Sequence, residues 1–270
     1  MKRRAAFAGS QSFYPSGKSA LERMIRSFVD PKAVKVKAAA VVSPHAGYVY
    51  SGPVAGAVYS SVMIPPTVVI LGAPHTDFKP RFSIIAEGLW ETPLGDVPID
   101  RELAGLILGS CPLAEAAEGP HEDEHSLEVQ VPFLQFFQSR LSLVPIHVNF
   151  RSTFDDLGKL AEGLAASLKE LGRDVLIVAS TDMSHFLSQE RAREQDFLAI
   201  DRILALDGRG LFDTVRAHRI SMCGFQPTTA AILAARILGA TKAELVKYQT
   251  SGDVTGDMSR VVGYAGLRFF

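Results

Sequence analysis

The stretch "VVSPHAGYVYSG", residues 41–52, leads from a buried strand into a helix and carries a histidine between them. The apolar run that enters it, residues 38–42, is typical of a strand covered on both faces. This strand is predicted to stop at Ser43-Pro44, so His45 follows directly and precedes the turn at Ala46-Gly47. Ligand sites in open α/β sheets lie at the carboxyl ends of strands, and His45 is therefore a candidate functional residue.

Similar apolar runs recur along the chain and alternate with helical patterns. Such alternation predicts an α/β fold with a central, mainly parallel sheet flanked by helices on both faces. No Pro/Gly/Ser-rich linker divides the sequence, so one domain is expected over residues 1–270. The predicted strands cover residues 37–44, 67–73, 82–88, 141–148, 174–182, 243–250 and 260–269, and the predicted helices cover 17–29, 52–62, 100–109, 126–140, 153–171, 188–206 and 226–239.

Composition argues against several classes of partner. The formal net charge is −1, and no basic cluster interleaved with aromatic residues suggests nucleic-acid binding. No apolar run approaches the roughly 20 residues of a membrane helix, and the first residues lack the apolar core of a signal peptide. Cys111 and Cys223 are too far apart in sequence for a C-x-x-C site and too few for a disulfide framework. A cytoplasmic protein that acts on a small molecule is expected.

A second histidine follows the next strand of the same predicted unit. His75, in "ILGAPHTDF", comes after the strand at 67–73, as His45 comes after the strand at 37–44. Parallel strands of a right-handed βαβ unit end on the same edge of the sheet. If the two strands are neighbours, about 4.8 Å apart, the two imidazoles can converge on one point. The alternative is that each histidine is an ordinary turn residue.

Two later strands also end in polar side chains. The strand at 174–182 leads to Asp182 and His185, and the strand at 243–250 leads to Asp253 and Asp257. Two neutral imidazoles and one carboxylate, with positions left open, form the ligand set of non-haem Fe(II) oxygenases. A plain surface turn, with Asp253 bonded to its own backbone, would give the same sequence pattern.

In the segment "GPHEDEHSLEVQVPFL", residues 119–134, His121 and His125 flank three consecutive acids, residues 122–124, just before a predicted helix. Glu124 or His125 is a candidate for proton transfer or for orienting a metal-binding imidazole. The alternative is an acidic first turn that suits the helix dipole, with Ser126 as the N-terminal cap.

Cys223 precedes an apolar helix in "SMCGFQPTTAAIL". A cysteine near a helix start can have a lowered pKa and act as a nucleophile. In such apolar surroundings, a role in the pocket wall is the alternative.

The sequence resembles the Memo family, also known as component B of the AmmeMemoRadiSam system. The similarity runs in order from about residue 6 to the C-terminus, and "SPHAGY" together with "EDEHS" is its most specific part. The segments that carry it are "AGSQSFYPSGKSAL", "SPHAGYVYSG", "ILGAPHTDF", "ETPLGDVPID", "EDEHSLEVQVPFL", "STDMSHF", "MCGFQP" and "TSGDVTGDMSRVVGYAG".

This resemblance implies a fold like that of the class III extradiol dioxygenases, which open catechol rings with non-haem iron. By motif, His45 and His75 match the two metal-binding histidines. Asp182 and His185 match a further pair in the pocket, and Cys223 matches the family's "CG" cysteine.

The chain departs from the family pattern at two positions. Ala73-Pro74 precedes His75 where relatives often have Gly-Pro followed by Asn or Ser. Some members have a cysteine as third ligand in the segment that corresponds to "TSGDVTGD", and this chain has none there. Asp253 is therefore the expected third ligand. Fe(II) is the expected metal, with another divalent ion as the alternative.

The resemblance thus implies a metal-dependent, non-haem iron redox enzyme with a functional link to a radical-SAM protein. His185 is expected to act as general acid or base, Asp182 to orient it or join the metal ligands, and Tyr48 and Phe186 to form pocket walls. Two alternatives remain open. One is a non-catalytic protein that binds a peptide or small ligand in the same pocket, and the other is a metal-dependent hydrolase that works without oxygen.

Overall fold

The computed structural model describes residues 2–76 and 78–270. Its strands are β1 (Arg3–Arg4), β2 (Ala40–Ser43), β3 (Thr67–Gly72), β4 (Phe82–Ile84), β5 (Leu89–Trp90), β6 (Val97–Pro98), β7 (Ala114–Ala116), β8 (Ser142–Val148), β9 (Val175–Ser180), β10 (His185–Leu187), β11 (Ala243–Thr250) and β12 (Val261–Phe269). Its α-helices are α1 (Lys18–Phe28), α2 (Tyr48–Ser60), α3 (Arg101–Ser110), α4 (Gly119–Glu122), α5 (Val131–Phe137), α6 (Phe154–Leu171), α7 (Gln189–Leu204), α8 (Gly208–His218), α9 (Phe225–Ile237) and α10 (Gly252–Thr255).

The large sheet has the strand order β10-β12-β2-β9-β3-β8-β4-β7, and β11 pairs with β12. The central strands β2, β9, β3 and β8 are parallel. Strands β10, β11 and β12 at one end pair antiparallel, as does β4 with β8 at the other end. The predicted α/β sheet is therefore confirmed as a mixed sheet with a parallel centre. A small separate sheet contains β1, β5 and β6.

The central strands are buried on both faces, which explains their unbroken apolar sequences. In β3, Val69 and Leu71 face one hydrophobic cluster, whereas Val68 and Ile70 face the other. Helices α3 and α6–α9 contribute to the first cluster, and α1, α2 and α5 contribute to the second. The helices cover the two faces of the sheet, so the connecting loops form the surface at the carboxyl edge of the parallel strands.

The sequence predicts one helix over 126–140, but in the structure only part of this range is α-helical. A 3-10 turn, Glu128–Gln130, precedes the shorter α5. The buried carboxylate of Glu128 accepts hydrogen bonds from Arg4, from the Tyr14 hydroxyl, and from the backbone N–H groups of Phe7 and Ala8. These bonds attach the N-terminal segment to the turn, so tertiary contacts override helical propensity here.

The helices of residues 2–76 and 78–270 include none with the length and apolar character needed to span a bilayer.

Candidate metal centre

His45 and His75 meet at the carboxyl edge of the sheet although their strands are not adjacent. Strand β9 lies between β2 and β3, with Ser180 in register with both Ser43 and Gly72. The loops after β2 and β3 nevertheless bring the two rings together, with centroids 5.6 Å apart. Asp182, which follows the intervening strand β9, lies at the same edge of the sheet and contacts the backbone of His45.

A third imidazole completes the cluster. One ligand atom from each of His45, His75 and His125 lies within 4.8 Å of the other two, which makes these histidines a possible metal site. The His125 ring is stacked between His75, at 4.4 Å between centroids, and Phe13, at 4.0 Å. Burial and the neighbouring His45 and His75 lower the pKa of His125 to about 3. His125 is thus a neutral imidazole, which is the form that binds metals.

The hydrogen bonds of His45 define its tautomer. The Ser180 hydroxyl donates to the carbonyl oxygen of Ser126 at 2.6 Å, so it has no second proton to donate. The His45 Nδ1 atom, 3.0 Å from Ser180 Oγ, must therefore carry a proton and donate to it. The lone pair is then on Nε2 of His45, which is free to bind a cation.

Glu124 fixes His75 in the same tautomer. His75 donates to the Glu124 carboxylate from Nδ1, at 2.9 Å, and from its backbone N–H, at 2.5 Å. Burial raises the pKa of Glu124, but the hydrogen bonds from the ring and backbone N–H of His75 outweigh this and hold the pKa well below its usual range. The carboxylate is thus ionised at neutral pH and leaves Nε2 of His75 free. A carboxylate behind a metal-binding histidine is a recurring arrangement in metalloproteins.

Asp182 positions the backbone of the "SPHAGY" loop. Its Oδ1 accepts hydrogen bonds from the backbone N–H groups of His45, at 2.8 Å, and Ala46, at 3.3 Å. The side chain is buried, yet it lines the same cleft as the histidines. The sequence predicts that Asp182 orients His185 or joins the metal ligands, whereas the hydrogen bonds described here connect it to the backbone of His45 and Ala46.

His185 lines the cleft, and Ser221 holds its ring in place. Its Nδ1 lies 2.8 Å from the carbonyl oxygen of Ser221, which can only accept, so Nδ1 is the protonated atom. Its backbone N–H donates to the Ser221 hydroxyl at 2.7 Å. With both groups held by Ser221, the His185 ring has a fixed orientation, and Nε2 is the ring nitrogen that Ser221 does not engage.

Cys223 contacts the first histidine. Its Sγ lies 3.3 Å from Nε2 of His45. Gly224 allows this approach, because a Cβ at that position would lie 2.5 Å from the carbonyl oxygen of Ser180. Burial and the charge of Asp182 raise the pKa of Cys223 to about 12. The thiol is therefore neutral in the metal-free chain, and the lowered pKa of a nucleophilic cysteine is absent.

Asp253 lies outside the histidine cluster, contrary to its expected role as third ligand. Its side chain is exposed, and its Oδ2 accepts hydrogen bonds from the N–H of Thr250, at 2.7 Å, and from the Thr250 hydroxyl, at 3.3 Å. These local bonds engage the carboxylate at the start of α10. The third group beside His45 and His75 is instead His125, for which the sequence suggested proton transfer or imidazole orientation.

The cluster opens into a cleft of about 510 Å³. Phe186 lines this cleft, as expected, but Tyr48 packs beneath it with its hydroxyl donating to the carbonyl oxygen of Val129 at 2.6 Å. The wall residues that sequence reasoning did not single out include Phe13, Arg260 and Tyr264. All three lie in segments that carry the family resemblance.

Comparison with known proteins agrees with the residue-level resemblance. A family model described as "Memo-like protein" matches residues 3–268. A MEMO1 family protein of Methanothermobacter thermautotrophicus is 40% identical over 279 residues, which cover 99% of this chain and 100% of the relative. A MEMO1 family protein of Aquifex aeolicus is 42% identical, with coverage of 99% and 98%. One of Methanopyrus kandleri is 38% identical, with coverage of 100% and 99%.

Proposed function

This chain belongs to the Memo-like protein family, and on that premise we propose that it is a non-haem iron-dependent redox enzyme. The observation that carries the proposal is the group of three imidazoles, His45, His75 and His125, whose ligand atoms lie within 4.8 Å of one another. Their position at the carboxyl edge of a parallel sheet is the usual place for a ligand site in such folds.

The donor set fits a divalent first-row metal. Imidazole nitrogen suits iron, zinc, copper and nickel, and the tautomers of His45 and His75 leave Nε2 free on each ring. Glu124 places a negative charge behind His75, which raises the basicity of that ligand. The Cys223 thiol contacts Nε2 of His45 but is not part of the group of ligand atoms that lie within 4.8 Å of one another.

An Fe(II) ion held by these residues would supply redox chemistry with dioxygen or with an oxidisable substrate. The protein's own residues would do the remaining work. His185 would take a proton from a substrate hydroxyl at its free Nε2, with Ser221 holding the ring in place. Asp182 would keep the His45 backbone in register with the sheet edge.

The test is anaerobic reconstitution with Fe(II), followed by measurement of oxygen uptake with a panel of catechols and other oxidisable small molecules. Metal-dependent oxygen uptake in the wild type that His45→Ala abolishes is the expected result. Activity that is equal with and without oxygen would favour a metal-dependent hydrolase. Tight ligand binding with no turnover under either condition would favour a non-catalytic binding protein.

A small-molecule substrate and a functional link to a radical-SAM protein are part of this proposal. Their support is the family resemblance and the size of the cleft. Co-occurrence of a radical-SAM gene beside the genes of several family members would strengthen the link, and consistent absence would weaken it.

A further inference from the structure

Arg260 stands in the wall of the cleft without an acidic partner. It is the one Lys or Arg among the described residues that line the cleft. Its guanidinium lies over the Phe186 ring, 5.1 Å from the centroid. Among the described residues, no carboxylate lies within ion-pairing distance of this guanidinium. Its side chain is exposed toward the cleft and so keeps its hydrogen-bond donors available.

The two carboxylates of the cleft wall are already engaged. Asp182 accepts from the backbone of His45 and Ala46. Asp257 accepts from the N–H of Ser259, at 2.9 Å, and from the Ser259 hydroxyl, at 2.6 Å. With Glu124 behind His75, three carboxylates surround the cleft, and a divalent ion on the histidines together with Arg260 would balance their charge. Because the wall carboxylates are bonded elsewhere, the Arg260 guanidinium is available to an anion.

Phe186 is held in an unusual conformation beneath this guanidinium. Its φ is 60°, in the left-handed region that a bulky residue rarely adopts. It is also the residue where the register between β10 and β12 shifts, between the pairs His185–Val262 and Leu187–Val261. Strained backbone of this kind persists where the surrounding structure enforces it, often at functional sites.

The irregular register has a direct consequence for the cleft. Consecutive side chains of a regular strand point to opposite faces. Here His185 and Phe186 both line the cleft, because the bulge redirects one of them. The His185 ring, 5.9 Å from the Phe186 ring between centroids, and the Phe186–Arg260 pair therefore lie side by side at one wall.

We propose that Arg260, supported by Phe186, binds the anionic group of the substrate, and that the substrate is a small aromatic carboxylate. A guanidinium matches a carboxylate in bidentate geometry, and its stacking on an aromatic ring keeps it oriented. The exposed rings of Tyr50 and Phe186 in the same wall supply flat apolar surface for an aromatic ring. The substrate role in this inference rests on the proposed metal-dependent function, whereas the binding of the anion rests on Arg260 and Phe186.

The test uses benzoate and its neutral analogue benzamide as probes, titrated into the full chain with and without metal. Wild type is expected to bind benzoate at least tenfold more tightly than benzamide, and Arg260→Gln to lose that preference while it keeps wild-type metal affinity. Arg193→Gln is the matched control, since Arg193 also lies over aromatic rings, 5.7 Å from Phe197 and from Tyr248, but not in the cleft.

The outcomes separate this inference from the proposed function. Equal benzoate affinity in wild type and Arg260→Gln would overturn the inference, and so would the absence of benzoate binding to wild type. Neither result bears on the metal, which is measured separately. If wild type binds no metal yet shows the Arg260-dependent preference for benzoate, the redox function fails and the anion site stands.

Discussion

The Nδ1 atom of His75 lies 2.9 Å from Oε1 of Glu124, and this contact decides which nitrogen of His75 is free for a metal. The carboxylate is buried and also accepts from the backbone N–H of Ser126 at 2.8 Å. It therefore links the loop after β3 to the loop before α5, and holds His75 and His125 in one cluster.

Glu124→Gln is expected to weaken Fe(II) or Co(II) binding by about 10- to 100-fold, as for other residues that orient a metal-binding histidine. An amide can accept fewer of the bonds from His75 and puts no charge behind the ring. Titration under nitrogen measures the change, and Glu118→Gln, at an exposed ion pair with Lys2, is the control. Wild-type affinity in Glu124→Gln would show that this hydrogen bond does not tune the site.

Asp253→Asn is expected to leave metal affinity unchanged, because Asp253 bonds to Thr250 and lies outside the histidine cluster. The same titration tests this. A loss of tenfold or more, about 1.4 kcal/mol, would return Asp253 to the ligand set.

The buried His147 is expected to make the fold acid-sensitive. Burial lowers its pKa to about 4, with the charge of Glu124 opposing this effect. The unfolded chain, with a histidine pKa near 6.5, takes up this proton first as the pH falls. The contribution of His147 to the free energy of unfolding is therefore fully present above pH about 6.5. It is lost, by on the order of 3 kcal/mol, as the pH falls to about 4.

Urea unfolding at several pH values, from about 7 down to about 4, measures how the free energy of unfolding depends on pH. His147→Leu should flatten the curve, whereas His218→Gln, at the C-terminal end of α8, should not. An unchanged slope in His147→Leu would assign the acid sensitivity to other groups.

Phe186→Gly is expected to leave the free energy of unfolding unchanged or to raise it by up to about 1 kcal/mol, since glycine adopts a positive φ without strain. The ring is 62% exposed, so little burial is lost. Phe150→Gly is the control: this side chain is also exposed but has no positive φ, and glycine there should destabilise. A clear loss of stability in Phe186→Gly would mean that the residue is structural.

Much of the fold and part of the site could be predicted from local patterns. The apolar runs of β2, β3 and β9 and the histidines after β2 and β3 are visible in the sequence because each is a local signal. The insertion of β9 between β2 and β3 is not, since strand order depends on contacts far apart along the chain. The predicted convergence of His45 and His75 relied on adjacent strands, and the structure achieves it through the loops instead.

Side-chain roles were harder to assign than positions. Asp253 and His125 both stood in segments rich in polar groups, and sequence spacing could not show which of them turns toward the histidines. Asp253 satisfies its carboxylate within its own turn, whereas His125 is directed inward by stacking on Phe13, more than a hundred positions earlier in the chain. The bulge at Phe186 has no sequence signature, because the left-handed position carries no glycine.

The central claim, a metal held by three imidazoles, is tested most directly by metal analysis of protein purified without oxygen. The wild type is expected to bind one Fe(II) per chain. His45→Ala, His75→Ala and His125→Ala should each lose the ion without unfolding, whereas the buried control His147→Leu should retain it. Cys223→Ser should retain the ion with reduced affinity. Retention of wild-type iron by His125→Ala, together with its loss in Cys223→Ser, would contradict the three-histidine centre and assign the third position to the thiol.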